Sequence, residues 1–197
     1  MLSQEQKKQL WDFARENSQS HLYFIGHESH VAWESRRMAP KLDADPDICE
    51  ISGVLHDLGY SVDPKHHIRE SQGLATTALK EAEVDPSTTY RIVHSIATHD
   101  AILDPFRVPM ENVVMNEVDA GCFFRHYMGL ARWMYNDLLN KVEQPERLPK
   151  VKTSLLEHAI ETETYIRLPL IRREYEEDIE KHKERIQRMT DSNLSSY

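Results

Sequence analysis

Apolar residues recur at intervals of three and four along nearly the whole chain, and no stretch shows the strict alternation of a half-buried strand. In an α-helix this spacing gathers them on one face, so each segment has to bury a stripe against another helix. Ile48, Ile51, Leu55 and Leu58 form one stripe, and Ile92 and Ile96 lead to His99 in another. Met115, Val118 and Cys122 form a third, with Asp119 set among them. At 197 residues, 40% hydrophobic and 29% charged, the chain has the length and composition of one well-buried globular unit. We therefore expect a single all-α domain over about residues 1–190, with 191–197 as a flexible tail.

Local signals punctuate the helices. "SQEQ" at Ser3–Gln6 is a capping box that opens a helix to about Ser18. A second helix is expected from about Gly26 to Met38, ending before Pro40. Asp45-Pro46 and Asp85-Pro86 each supply an N-cap followed by proline at the first helical position. Gly59 stands where a helix C-terminal glycine belongs, which puts His56 and Asp57 in the last turn of the third helix. A fourth helix is expected over His67–Ala82 and a long one over about Met110–Leu139. "NKVEQPERLPK" reads as a loop, followed by a helix over about 151–167 that Pro169 interrupts. The strongly charged segment after it carries a thin apolar line of Ile171, Tyr175, Ile179, Ile186 and Met189. That line can dock on the bundle or form a homodimer.

The formal charge of −9 argues against a nucleic-acid polymer as partner, because backbone binding needs a basic surface. Small anionic substrates stay open, since a bound metal reverses the local field. No apolar run approaches the ~18 residues of a membrane span. "MLSQEQKKQLWDF" lacks the apolar core of a signal peptide. Cys49 and Cys122 lie in apolar helical contexts and read as reduced core thiols. A cytoplasmic protein is expected, with no membrane partner.

Polar groups on these apolar faces ask for partners, because an unpartnered buried polar group costs free energy. "VLHDLGY" sets His56 beside Asp57 as an apolar run closes. A His-Asp dipeptide is weak by itself: 11 His and 13 Asp in 197 residues give nearly one by chance, and two occur, the second being His99-Asp100. The wider set is His27, His56, Asp57, His67, His99 and Asp119, spread over different helices. Imidazoles with carboxylates suit Fe, Mn, Co, Ni or Zn better than Ca or Mg, and facing side chains of a bundle are a common place for such ions. No Cys-x-x-Cys pair supports a structural zinc site. His30, His66 and His94 compete with His27, His67 and His99, and His99 is preferred over His94 because it ends the Ile92/Ile96 face. His21, His126, His158 and His182 are expected in surface or packing roles, and Trp11, Trp33 and Trp133 in the core.

"GHESHVAWES…RMA", "ADPDICEISGVLHDLGY", "HHIRES", "IVHSIATHD" and "VVMNEVDAG" in this order resemble the motifs of the HD-domain metal-dependent phosphohydrolase superfamily, over about residues 20–125. The resemblance implies an HD-domain-like helical bundle, here with an extra charged C-terminal helix. It implies His27, His56, Asp57 and Asp119 as metal ligands, His67 and His99 as ligands of a second metal, and Asp57 as the bridge. Val31-Ala32 sets the register that favours His27, and His67-Ile-Arg-Glu70-Ser71 matches a family-like turn that favours His67. No Gly-Tyr-Pro follows His99, so the cyclic-dinucleotide phosphodiesterase subgroup is not matched.

The activity this implies is hydrolysis of a small phosphoester, such as a nucleotide, by water on one or two divalent transition metals. Asp57 would ligate and orient that water. Glu70, one turn from His67, would fix its tautomer. Arg69, with Lys65 and Arg36, would meet the phosphate charge. Two other readings stand beside it. Some members of the superfamily activate oxygen with two irons on the same ligand set, and Tyr23 lies one helical turn before His27. A non-catalytic regulatory module would instead use the charged C-terminal helix to find its partner.

Overall fold

The computed structural model describes residues 1–139 and 141–194, and among these helix is the only regular structure. Helix α1 (Gln4–Asn17) opens with the expected capping box. The Ser3 hydroxyl accepts from the Gln6 amide at 3.1 Å, and the Ser3 amide donates to the Gln6 side chain at 2.9 Å. A single turn, α2 (His21–Tyr23), runs into a π-helical turn at Phe24–Glu28 and on into α3 (Ser29–Met38). The helix expected from Gly26 thus begins inside a wider turn, which carries one residue more than an α-turn and shifts the facing of the residues after it. Gly26 makes this arrangement sterically feasible. It lies against Gly129 so closely that a Cβ on Gly26 would sit 2.7 Å from the Gly129 Cα.

Helix α4 (Pro46–Leu55) starts as expected, with the Asp45 side chain accepting from the Asp47 amide at 2.9 Å. Its end differs from expectation. Gly59 does not close it with a left-handed residue, since no glycine has positive φ. Instead α4 stops at Leu55, and Leu58–Ser61 forms a 3-10 turn. Gly59 is needed for room: a Cβ there would lie 2.0 Å from the His67 carbonyl oxygen. Its N–H donates to the Ser71 hydroxyl at 2.8 Å, which ties that turn to α5 (His67–Glu81).

Helix α6 (Pro86–Ala97) begins at the Asp85 cap, and α7 (Met110–Asp137) follows, bent where His126 takes non-helical angles of φ −107° and ψ 16°. Helix α8 (Gln144–Thr162) starts earlier than the loop reading of "NKVEQPERLPK" suggested. Pro145 falls in its first turn, where an N–H would have no helical partner, so proline is accommodated there. Pro149 lies deeper and forgoes one backbone bond. Helix α9 (Pro169–Gln187) takes Pro169 as its first residue. Residues 191–194, expected in a frayed tail, instead form a short turn, α10 (Asp191–Leu194), with Leu194 buried and the Tyr135 hydroxyl donating to Asp191 at 2.8 Å. Residues 195–197 of that expected tail lie outside the described residues.

Two apolar clusters result. One joins Leu10, Ile51, Leu55, Leu79, Ile92 and Ile96 from α1, α4, α5 and α6. The other joins Val114, Phe124, Leu155, Ile171 and Tyr175 from α7, α8 and α9. Helix α7 touches α3, α4 and α6 on one side and α8 and α9 on the other. The apolar line of α9 is buried against its own chain: Ile171, Tyr175 and Ile186 are fully buried and Ile179 is partly so. Gly121 leaves the space that the Tyr175 ring fills, and the Arg125 guanidinium lies 4.3 Å above that ring. No helix among the described residues is long and apolar enough to cross a membrane.

Candidate metal centre

Five parts of the chain converge. The π-turn brings His27, and the end of α4 brings His56 and Asp57. The first residue of α5 is His67, His99 lies just past α6, and Asp119 comes from the middle of α7. Asp57 stands between two groups of donors. Its Oδ2 is 3.3 Å from the Nε2 of both His27 and His56, and those nitrogens lie 3.3 and 3.5 Å from Asp119 Oδ1. Its Oδ1 is 3.3 Å from His99 Nε2 and 3.9 Å from His67 Nε2. Within each of the sets His27–His56–Asp57 and Asp57–His67–His99, the donor atoms lie within 4.8 Å of one another, close enough to share an ion.

Backbone carbonyls set the tautomers. His56 Nδ1 is 2.8 Å from the Gly53 oxygen and His99 Nδ1 is 2.7 Å from the Ile96 oxygen. A carbonyl only accepts, so Nδ1 carries the hydrogen and Nε2 of the neutral ring presents a lone pair. Those lone pairs face carboxylate oxygens, an arrangement that repels unless a cation lies between. His56 Nε2 is buried and makes no hydrogen bond among the described residues. The donor set, all imidazole nitrogen and carboxylate oxygen, fits a divalent transition metal.

A proton on Nε2 can play the part of that cation: burial disfavours a charged His56, yet Asp57 and Asp119 outweigh it and hold its pKa well above the ordinary imidazole range. Burial would raise Asp57, but His56, with the His27 and His99 rings close by, holds it well below the usual carboxylate range. The Tyr23 hydroxyl donates to Asp57 Oδ2 at 2.6 Å, and burial together with that carboxylate keeps it a neutral phenol. Glu28, fully buried behind His27, is pushed by burial up to about 8.

The donors open on a cavity of about 270 Å³. Tyr60 stacks on the His67 ring at 4.1 Å and forms part of its wall. Asp100 stands at the rim, its Oδ2 3.2 Å from His67 Nε2 and its Oδ1 3.6 Å from His99 Nε2. Asn116 of α7 donates to the backbone oxygens of His99 and, at 3.1 Å, of Ala101, so it fixes the loop that carries His99. The far wall is apolar, with Phe123, Leu130, Trp133 and Met134. No Lys or Arg among the described residues lines it.

The six ligand residues read from sequence thus come together, and the competing histidines lie elsewhere. His66 pairs with Asp63 at 2.7 Å, His94 bonds Asn112 at 2.7 Å, and His30 stacks on His126 at 3.7 Å. The expected catalytic helpers are not brought in. The Arg69 side chain is 74% exposed and bonds Glu70 at 2.6 Å, so neither residue faces the donors or the cavity. The Glu70 carboxylate accepts from Arg69, and no hydrogen bond from it to the His67 ring is present among the described residues. Arg36 is occupied by Asp47 and Glu50, and Lys65 is exposed away from the cavity. Tyr60, Asp100 and Asn116 were missed. Asp100 had a signal, the second His-Asp pair, whose chance frequency hid it.

Fold and centre together define an all-α protein with a His–Asp cluster able to hold metal ions. No family model, curated protein or solved structure matches the chain.

Proposed function

We propose that the chain is a metal-dependent hydrolase that cleaves a small phosphoester with metal-activated water. The observation that supports this best is the shared carboxylate: Asp57 turns one oxygen to His27 and His56 and the other to His67 and His99. Divalent ions held there would polarise a phosphoryl oxygen and lower the pKa of bound water from about 15.7 toward 7. The chain's own residues do the rest. Tyr23 holds Asp57 in one rotamer through its 2.6 Å bond. Gly53 and Ile96 carbonyls keep the His56 and His99 lone pairs aimed inward. Asp100, at the rim, is placed to take a proton at Oδ2. With no Lys or Arg among the described residues that line the cavity, phosphate charge would have to be met by the ions these donors hold, which favours one compact phosphoryl group over a polyphosphate.

The test is phosphatase activity on a panel of small monoesters, with Mn, Co or Ni added. Activity should rise with metal and fall to background in Asp57→Ala. Undiminished activity in that variant would refute the proposal.

One observation favours a second reading, an oxygen-activating di-iron enzyme. The far wall is apolar and aromatic, with no Lys or Arg among the described residues, as suits chemistry that must be shielded from water. Bound iron with substrate-dependent oxygen uptake would establish it, and iron-free active protein would dismiss it.

A further inference from the structure

We infer that the ligand of this site is an amphiphile, with a compact anionic head at the donor groups and an uncharged apolar tail that leaves between α7 and α8. The inference rests on the metal-centre reading and adds the chemistry of the rest of the molecule. Trp133, Met134 and Ser154 of its wall, here called the neck, also line an outer groove of about 430 Å³. Beyond this neck the groove is walled by Leu138, Pro149 and Val151. Lys150, the one basic residue among the described residues that line it, is exposed, as is Asp137.

Polar groups are therefore concentrated at two ends: donors and Asp100 inside, Lys150 and Asp137 outside. Between them the surface is mainly aromatic and aliphatic, and its polar exceptions include Thr153, Ser154, His158 and Thr162 of α8 and Asn116 of α7. A nucleotide needs directional partners for base and sugar on several sides, and cations for any further phosphate. An alkyl or aryl tail needs only apolar area removed from water, which this passage supplies. The chain length that fits is set by the distance from the donors, past the neck, to the groove.

The test is calorimetric titration of the full-length protein, its metal content measured on the same sample. The probes are n-alkylphosphonates of two to eight carbons, which carry the head but no ester bond, alongside adenosine monophosphate. Affinity should rise about two- to four-fold per added methylene until the tail fills the groove. Octylphosphonate should bind more tightly than the nucleotide. Ser154→Trp, at the neck, should abolish the advantage of the long probes and leave ethylphosphonate unchanged. Leu138→Arg, in the groove, should reduce that advantage without changing metal content, and it serves if the first variant folds poorly. Affinity independent of length, tighter binding of the nucleotide, or indifference to both substitutions would overturn the inference while leaving the metal centre standing. Protein that takes up no metal would remove the centre and this inference with it.

Discussion

His56 shows how little freedom the donors have. Its Nδ1 is committed to the Gly53 carbonyl, so only Nε2 is left to face Asp57 and Asp119. His99 is fixed alike, but its backbone lies beyond α6 and depends on the Asn116 side chain for its position. Replacing Asn116 with Ala should release that loop, and we expect metal per chain to fall from near two toward one with helix content unchanged, as read by elemental analysis and circular dichroism. His182 is a different case, a histidine with no part in the centre. It is 2% exposed among Phe123, Phe124 and Tyr127, and burial pushes its pKa down to about 4. The unfolded chain takes up this proton near pH 6.5 and the folded chain resists it to about 4. Its contribution is thus complete above pH 6.5 and is lost as pH falls toward 4. His182→Phe should therefore narrow the difference in unfolding free energy between pH 7.5 and pH 5 by about 2 kcal/mol.

Among the elements, the contact of the π-turn with α7 matters most for the centre, because it places His27 opposite Asp119. Gly129 permits it: a Cβ there would come 2.4 Å from the Gly26 Cα, and neither backbone can yield. Gly129→Ala should cost ~1–3 kcal/mol or more and lower Tm by several degrees. Gly73, in the middle of α5 with nothing within 4 Å of where a Cβ would lie, is the matched control, and Gly73→Ala should stabilise by about 0.5–1 kcal/mol. Thermal unfolding of the pair checks both. These contacts also explain what sequence could show. Helix starts were legible at Ser3, Asp45 and Asp85, because caps act over three residues of one segment. The π-turn and the true role of Gly59 were not, because each answers to a contact outside its own segment, Gly129 for the one and His67 of the next helix for the other. Six ligands were legible because polar residues on apolar faces stand out. Arg69 and Glu70 misled because sequence spacing does not say that two neighbours will pair with each other.

At the scale of the whole molecule, α9 completes the half of the core that carries Asp119 and the cavity wall. Tyr175 fills the notch at Gly121, and Arg125 joins α7 to α9 through Asp178 at 2.8 Å. Tyr175→Ala should cost ~3–5 kcal/mol, a fall in Tm on the order of 10 °C, and reduce metal uptake with it. Asp57→Ala should also remove metal, and because its carboxylate is held ionised by His56 and accepts from Tyr23, breaking that buried pair should itself cost ~3–5 kcal/mol, read as a fall in Tm. The central claim is that packed helices hold six side chains around ions shared through Asp57. Elemental analysis of protein purified without added metal tests it most directly. About two equivalents of a divalent transition metal per chain are expected, lost in Asp57→Ala. Fully folded protein that carries none and takes up none on dialysis against Mn, Fe or Co would contradict it.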